Sequence, residues 1–359
     1  MPRNLRFPPR VALANLPTRI QPLERLSAEL GGIRLFAKRD DETGTDLSGN
    51  KVRKLEFLLA EAQREDADLI LTCGGIQSNH CRATALAARR LGMDSLLFLR
   101  GEEPASRDGN LFLDSLIGAE IRFITPEVYA DRRRVLAVEA ERQRAAGRRP
   151  YVIPEGGSNA LGSLGYVAML TELWQQGLPT PDRPAGPSGR AAVDAEVEVP
   201  PFPWQHIVCA VGSGGTLAGL VCGARLLGLD TRIWGVNVCD DAAYFQDRVL
   251  EIAAELETRW RTEMAPGEPG PPLTRDEIRI LEGYRGPAYA KTFPEEVALL
   301  REVARKDGLL LDPVYTGKAF YGLLAEARRG RFGATGNVLF LHTGGIFSLF
   351  AYRDELLGS

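Results

Sequence analysis

The sequence predicts an α/β protein built on two open, mostly parallel sheets flanked by helices. Three observations carry this. Short apolar runs alternate with helix-length amphipathic segments along most of the chain. Two strand-to-helix junctions are rich in glycine, as tight turns of that kind require. The alternation falls into two sets, before and after about residue 165, which suits two cores in a chain of 359 residues.

In the first set, residues 69–72 (Leu-Ile-Leu-Thr) read as a buried strand and residues 79–91 as the helix after it. Residues 95–99 form the next strand, 111–117 a helix, 121–124 a strand, and the Arg/Ala/Glu-rich stretch 129–145 one long helix. A further strand is expected at 151–153. This rhythm implies right-handed βαβ units. In the second set, strands are expected at 206–210, 232–236 and 337–341, and helices at 216–227, 294–306 and 318–328. A small domain over residues 52–164 and a large one over 1–51 and 165–359 follow, with the functional cleft between them. Two Pro/Gly-rich stretches, 179–203 and 265–272, read as surface insertions.

A net charge of −3 gives no sign of a nucleic-acid surface or a polybasic membrane patch. No apolar run reaches the roughly 18 residues of a membrane span. The first ten residues lack an apolar signal core, so a cytoplasmic location is expected. The five cysteines (Cys73, Cys81, Cys209, Cys222, Cys239) form no CxxC pair and are expected as reduced thiols. The three histidines show no metal-ligand spacing.

Chemistry concentrates in three segments. Lys51 follows the turn Ser48-Gly49-Asn50 and opens a helix with apolar positions at Val52, Leu55, Leu58 and Leu59. The positive end of that helix disfavours a protonated amine. Only a neutral amine attacks a carbonyl, so Lys51 suits Schiff-base chemistry. Gly212-Ser213-Gly214-Gly215-Thr216 follows a strand and opens a helix, which makes a phosphate cup. It lacks both the Walker lysine and GxGxxG spacing. The turn 74–80 ends in four successive polar residues, Gln77, Ser78, Asn79 and His80, and is suited to a carboxylate. An amine, a phosphate cup and a carboxylate cup together fit pyridoxal phosphate and an amino-acid substrate.

These segments, with YVIPEGGSNALG (151–162), VCDDAAYF (238–245), LDPVYTGKAFYGL (311–323) and HTGG (342–345), run in order along nearly the whole chain. The chain resembles the fold-type II pyridoxal-phosphate enzymes, and within them the D-cysteine desulfhydrase and 1-aminocyclopropane-1-carboxylate (ACC) deaminase family. The resemblance implies Lys51 as Schiff-base lysine, Asn79 at the cofactor's ring hydroxyl, Gly212 to Thr216 on its phosphate and Lys54 as a further phosphate contact. It implies Ser78 and His80 as a substrate-facing pair, Ser78 also as an acid or base, and Tyr289 and Tyr315 as active-site tyrosines. Ser158 is expected to line the substrate cleft. The family suggests a homodimer.

Within that resemblance the deaminases carry a glutamate after the tyrosine of PVY, a leucine at the position of Thr343 and a glutamine at that of His80. Here the first position is Thr316. A threonine cannot hold a protonated pyridine as a carboxylate does, and ACC, which has no α-hydrogen, demands that electron withdrawal. All three positions follow the desulfhydrase pattern, so β-elimination of D-cysteine is expected. An L-cysteate sulfo-lyase is the alternative.

Overall fold

The structure is a computed structural model that describes residues 5–179, 202–264 and 272–358. Apart from their ends, the two Pro/Gly-rich stretches lie outside the described residues. Among the described residues ten strands form two sheets. The strands are β1 (Ile20–Pro22), β2 (Ile33–Arg39), β3 (Leu69–Gly75), β4 (Asp94–Arg100), β5 (Glu120–Ile124), β6 (Pro150–Val152), β7 (His206–Val211), β8 (Arg232–Asn237), β9 (Arg279–Leu281) and β10 (Gly336–His342). One sheet has the order β1-β2-β10-β7-β8-β9 and the other β5-β4-β3-β6. Only the β1–β2 pair is antiparallel.

Both orders reverse direction once. The chain goes from β3 to β4 and β5 on one side, then places β6 on the other side of β3. In the larger sheet it goes from β7 to β8 and β9, then returns β10 to the opposite flank of β7. Ligands bind in open α/β sheets beyond the carboxyl ends of strands where the order reverses. The glycine-rich turns 74–80 and 212–216 leave β3 and β7 at those two points.

The expected strands are all present, six of them lengthened by a residue or more, while the one expected at 151–153 is shifted by one residue to Pro150–Val152. The expected long helix at 129–145 is instead two helices, Pro126–Ala130 and Arg132–Ala145. Thr125 caps the first and Pro126 starts it, and the chain leaves helical geometry at Asp131. The expectations passed over β1, β9 and β2, the last of which ends in the charged residues Lys38 and Arg39. They also passed over helix Ala160–Gln176, which is apolar nearly all round and carries two interior glycines.

The end of β2 and helix Ala160–Gln176 meet in a buried ionic knot. Arg53, on helix Lys51–Arg64, donates to Asp40 Oδ1 and Oδ2, each at 2.8 Å, and to Glu172 Oε2 at 2.8 Å. Asp40 also accepts from Tyr166 (2.7 Å) and Thr18 (2.8 Å), and Lys38 Nζ lies 2.5 Å from Glu172. The two cations hold the Glu172 carboxyl down to about 2, and burial lowers Lys38 to about 8. Gly165 lets the helices approach this closely, since a Cβ there would lie 2.5 Å from the Arg53 carbonyl. Removing one partner strands a buried charge. Asp40→Ala is therefore expected to destabilise the fold by about 3 kcal/mol or more, read as a lower urea midpoint.

Candidate active site

A cavity of about 610 Å³ opens between the two sheets, and Lys51, Asn79, Ser213 and Tyr315 are among its lining residues. The turns 74–80 and 212–216 thus face one space, as the sequence requires.

Lys51 is the first residue of helix Lys51–Arg64. The turn before it is pinned to the end of β10, where Asn50 N–H donates to the Thr343 carbonyl at 3.0 Å. Gly49 adopts φ +98° there, and a Cβ would lie 2.9 Å from that carbonyl oxygen. Lys51 Nζ donates to Asn50 Oδ1 (2.9 Å), and Asn50 Nδ2 donates to Thr216 Oγ1 (3.1 Å). One asparagine thus joins the amine to the phosphate cup. Burial lowers Lys51 to about 8, against the opposing pull of Asp312 and Glu155.

The cup is made from both sheets. Ser158, on the loop after β6, shares a 2.8 Å hydrogen bond with Ser213 and accepts from Gly215 N–H at 3.2 Å. Gly156 (φ +66°) passes so close that a Cβ would collide with the Ser213 hydroxyl. Gly214 (φ +85°) turns the chain into helix Gly215–Leu227, whose first N–H groups have no carbonyl behind them. Gly212, Ser213, Gly214 and Thr216 reach the cavity. Ser158 was expected at the substrate; it is buried against the cup instead. Lys54 was expected on the phosphate. It lies beneath the wall, donating to the Gly156 carbonyl (3.0 Å) and Ser158 Oγ (3.3 Å), and burial holds its amine well below the usual lysine range.

On the other side, Ser78 caps helix Asn79–Arg90 and accepts from Cys81 N–H at 3.2 Å. Asn79 accepts from Asn110 at 2.9 Å. His80 lines the cavity, but both ring nitrogens face threonines: Nε2 is 2.8 Å from Thr72 Oγ1 and Nδ1 is 3.4 Å from Thr84 Oγ1. Thr72 gives its own proton to the Ile153 carbonyl, so His80 carries its proton on Nε2. Burial and the two lysines push its pKa far down, so the ring is neutral. It shapes the wall rather than offering a free donor.

Tyr289 and Tyr315 meet hydroxyl to hydroxyl at 2.6 Å, and Lys51 Nζ lies 6.0 Å from the Tyr315 ring centre. Burial raises both phenols. Thr343 lines the cavity, but Thr316 does not. The Thr316 hydroxyl donates to Asp312 Oδ1 (2.7 Å) and accepts from Asp312 N–H (2.7 Å). The expected place of Thr316 beside the cofactor ring is therefore not what the structure displays. Asp312 takes four N–H or O–H groups of residues 314–316 and so fixes the turn that carries Tyr315. Three contributors went unrecognised in the sequence: Asn50, Asp312 and Arg100. Only Asn50 had a local signal, its place next to the lysine.

The chain belongs to the pyridoxal-phosphate dependent enzyme family, whose model matches residues 11–344. It is 42% identical over 349 residues to a putative 1-aminocyclopropane-1-carboxylate deaminase of Thermotoga maritima, covering 97% of this chain and 100% of that protein. It is 38% identical to the D-cysteine desulfhydrase of Yersinia pestis, covering 97% of each. The crystal structure of an ACC deaminase homologue superposes with TM-score 0.80 at 37% identity, covering 98% of this chain and 96% of that one. The fold is that of the fold-type II enzymes, and the cofactor is pyridoxal phosphate. The residues fit it: an amine of lowered basicity and a helix-start cup tied together by Asn50.

With Lys51 near 8, about half its amines are neutral at pH 8 and roughly a tenth at pH 7. Uptake of pyridoxal phosphate by the apo protein should quicken as pH rises through about 8 and then level, followed by visible absorbance. Borohydride should fix the cofactor to Lys51, and fixation at Lys54 would refute the assignment. Gly214→Val forces a branched residue to a positive φ, at a cost of ~1–3 kcal/mol, and should weaken cofactor retention in equilibrium dialysis.

Proposed function

We propose that the protein is a lyase that eliminates hydrosulfide from D-cysteine, giving pyruvate, hydrogen sulfide and ammonia with uptake of one water. The observation that carries this is the Lys51 amine set 6.0 Å from the ring of a tyrosine whose hydroxyl pairs with a second tyrosine. β-Elimination needs both: a base for the α-proton and a proton source for the departing group.

Pyridoxal phosphate, when bound, supplies an aldehyde for the substrate amine and a ring that withdraws electrons from Cα. The chain's residues do the rest. The cup at 212–216 anchors the phosphate, with Lys54 and Ser158 bracing it from below. The start of helix Asn79–Arg90 receives the substrate carboxylate, with Ser78 and Asn79 on the wall. Lys51 Nζ, neutral once deprotonated, takes the α-proton; Ser78 is the alternative acceptor. Tyr315 and Tyr289, both protonated because burial raises them, pass a proton to the leaving sulfur. The Cβ–S electron pair leaves with the sulfur, and the released enamine hydrolyses.

D-Cysteine as substrate is supported by the Yersinia pestis relative and by His80 and Thr343 on the wall. The Thermotoga maritima relative favours ACC deamination as a second reading. The sheet membership of β3 to β6 supports a small domain over 52–164, with 1–51 and 165–359 as the large one. Five free thiols support a cytoplasmic location. A homodimer rests on the resemblance alone.

Parallel assays of pyruvate and sulfide with D-cysteine, L-cysteine, L-cysteate, β-chloro-D-alanine and ACC test the reading. Sulfide and pyruvate should appear in equal amounts from D-cysteine, with ACC slower. Faster turnover of ACC would reject it. Lys51→Ala should lower turnover by ~10²–10⁴-fold or more. Thr343→Leu is the cleaner probe of the deaminase pattern, because a glutamate at position 316 would meet the buried Asp312 carboxylate.

A further inference from the structure

Arg100 ends β4 and pairs in register with Gly75, the last residue of β3. Its guanidinium lines the same cavity as Lys51. Its Cζ lies 4.7 Å from the ring centre of Tyr289 and 5.1 Å from that of Tyr129. Among the described residues the guanidinium has no carboxylate or carbonyl partner. Aromatic faces hold a guanidinium without using its N–H groups, so its fork of donors stays available.

The acidic residues on the wall do not neutralise it. Glu155 is bound by Arg132 at 2.7 Å and by the Tyr129 hydroxyl at 2.5 Å. Asp240 is exposed and makes no ion pair among the described residues. Of the other arginines on the wall, Arg132 is paired with Glu155 and Arg285 donates to the Cys239 carbonyl at 2.7 Å, so the Arg100 guanidinium, held against Tyr289, is left without an anion among the described residues. The start of helix Asn79–Arg90 already provides for an α-carboxylate. A second, separate cation calls for a second anion on the substrate.

We propose that Arg100 recognises an acidic sulfur substituent on the substrate's β-carbon, a specificity role that rests on the β-elimination reading for its chemistry but not for its binding. A guanidinium fork matches two oxygens better than a single thiolate sulfur. Amino acids bearing a β-sulfonate therefore gain most from it, an ionised thiol less, and a neutral β-substituent least.

The test compares wild type, Arg100→Gln and Arg100→Lys, each loaded with pyridoxal phosphate and checked for unaltered cofactor absorbance. For Arg100→Gln, kcat/KM for cysteate, assayed as both enantiomers, should fall at least about tenfold further than kcat/KM for β-chloro-D-alanine, with cysteine between them. Arg100→Lys keeps the charge and loses the fork, so it should recover more of the cysteine than of the cysteate activity. Calorimetric titration with cysteate gives a readout independent of turnover: binding to wild type should be lost or weakened about tenfold in Arg100→Gln. Equal losses on all substrates with unchanged cysteate affinity would overturn the role of Arg100. If wild type eliminated none of these substrates, the lyase reading would fail, and the titration would still decide Arg100. Should the glutamine variant not fold, Arg100→Lys decides by the same comparison.

Discussion

Arg53 between Asp40 and Glu172 is the contact on which the site depends. It is buried two residues beyond Lys51 and makes its hydrogen bonds to groups on two other elements. Helix Lys51–Arg64 thereby gains a fixed rotation about its axis and a fixed height above helix Ala160–Gln176. Since Lys51 begins that helix, its amine inherits both. A buried ionic knot tolerates only the register that pairs its charges, since leaving one unpaired is costly. Here the register decides which residue meets the cavity. A half-turn of slip would exchange Lys51 for a neighbour.

The rest of the site follows from strand order. Each sheet reverses direction once, and at each reversal two loops diverge and leave a crevice. The two crevices face each other. Turns after β3 and β6 come from one sheet, turns after β7 and β10 from the other, and the Ser158–Ser213 bond stitches the two sets together. The phosphate cup therefore belongs to neither sheet alone. A change in the angle between the sheets would alter the cup and the carboxylate turn together.

What was legible in the sequence was what is local. Lys51 after Ser-Gly-Asn, the glycines at 212–215 and the polar run 77–80 each combine backbone need and side-chain chemistry within a few residues. Seven of the ten described strands showed as apolar runs. Contacts between distant residues were invisible. Lys38 gave no sign of its partner, because Glu172, which neutralises it, lies 134 residues away. Ser158 and Lys54 were assigned to ligands, but their hydrogen bonds are spent on each other and on the cup. Thr316 looked like a residue facing the ring because it follows Tyr315. A helix start turns successive side chains by about 100°, and that turn carries its hydroxyl back to Asp312. Arg100 gave no signal, since a charged residue closing a strand is ordinary.

The Asn50 bridge fixes more than distance. An amide has a donor end and an acceptor end, and here the acceptor faces Lys51 while the donor faces Thr216. The Thr216 oxygen, already receiving a hydrogen from Asn50, turns its own hydrogen elsewhere, and the space before it is the cup. The lysine, donating one hydrogen to Asn50, keeps its lone pair on the side away from the amide. Hydrogen-bond polarity thus runs one way, from amine through amide to hydroxyl and out to whatever anion fills the cup. An anion there pulls on the far end and holds the amide from flipping. Occupying the cup and aiming the amine are therefore one event seen from two ends.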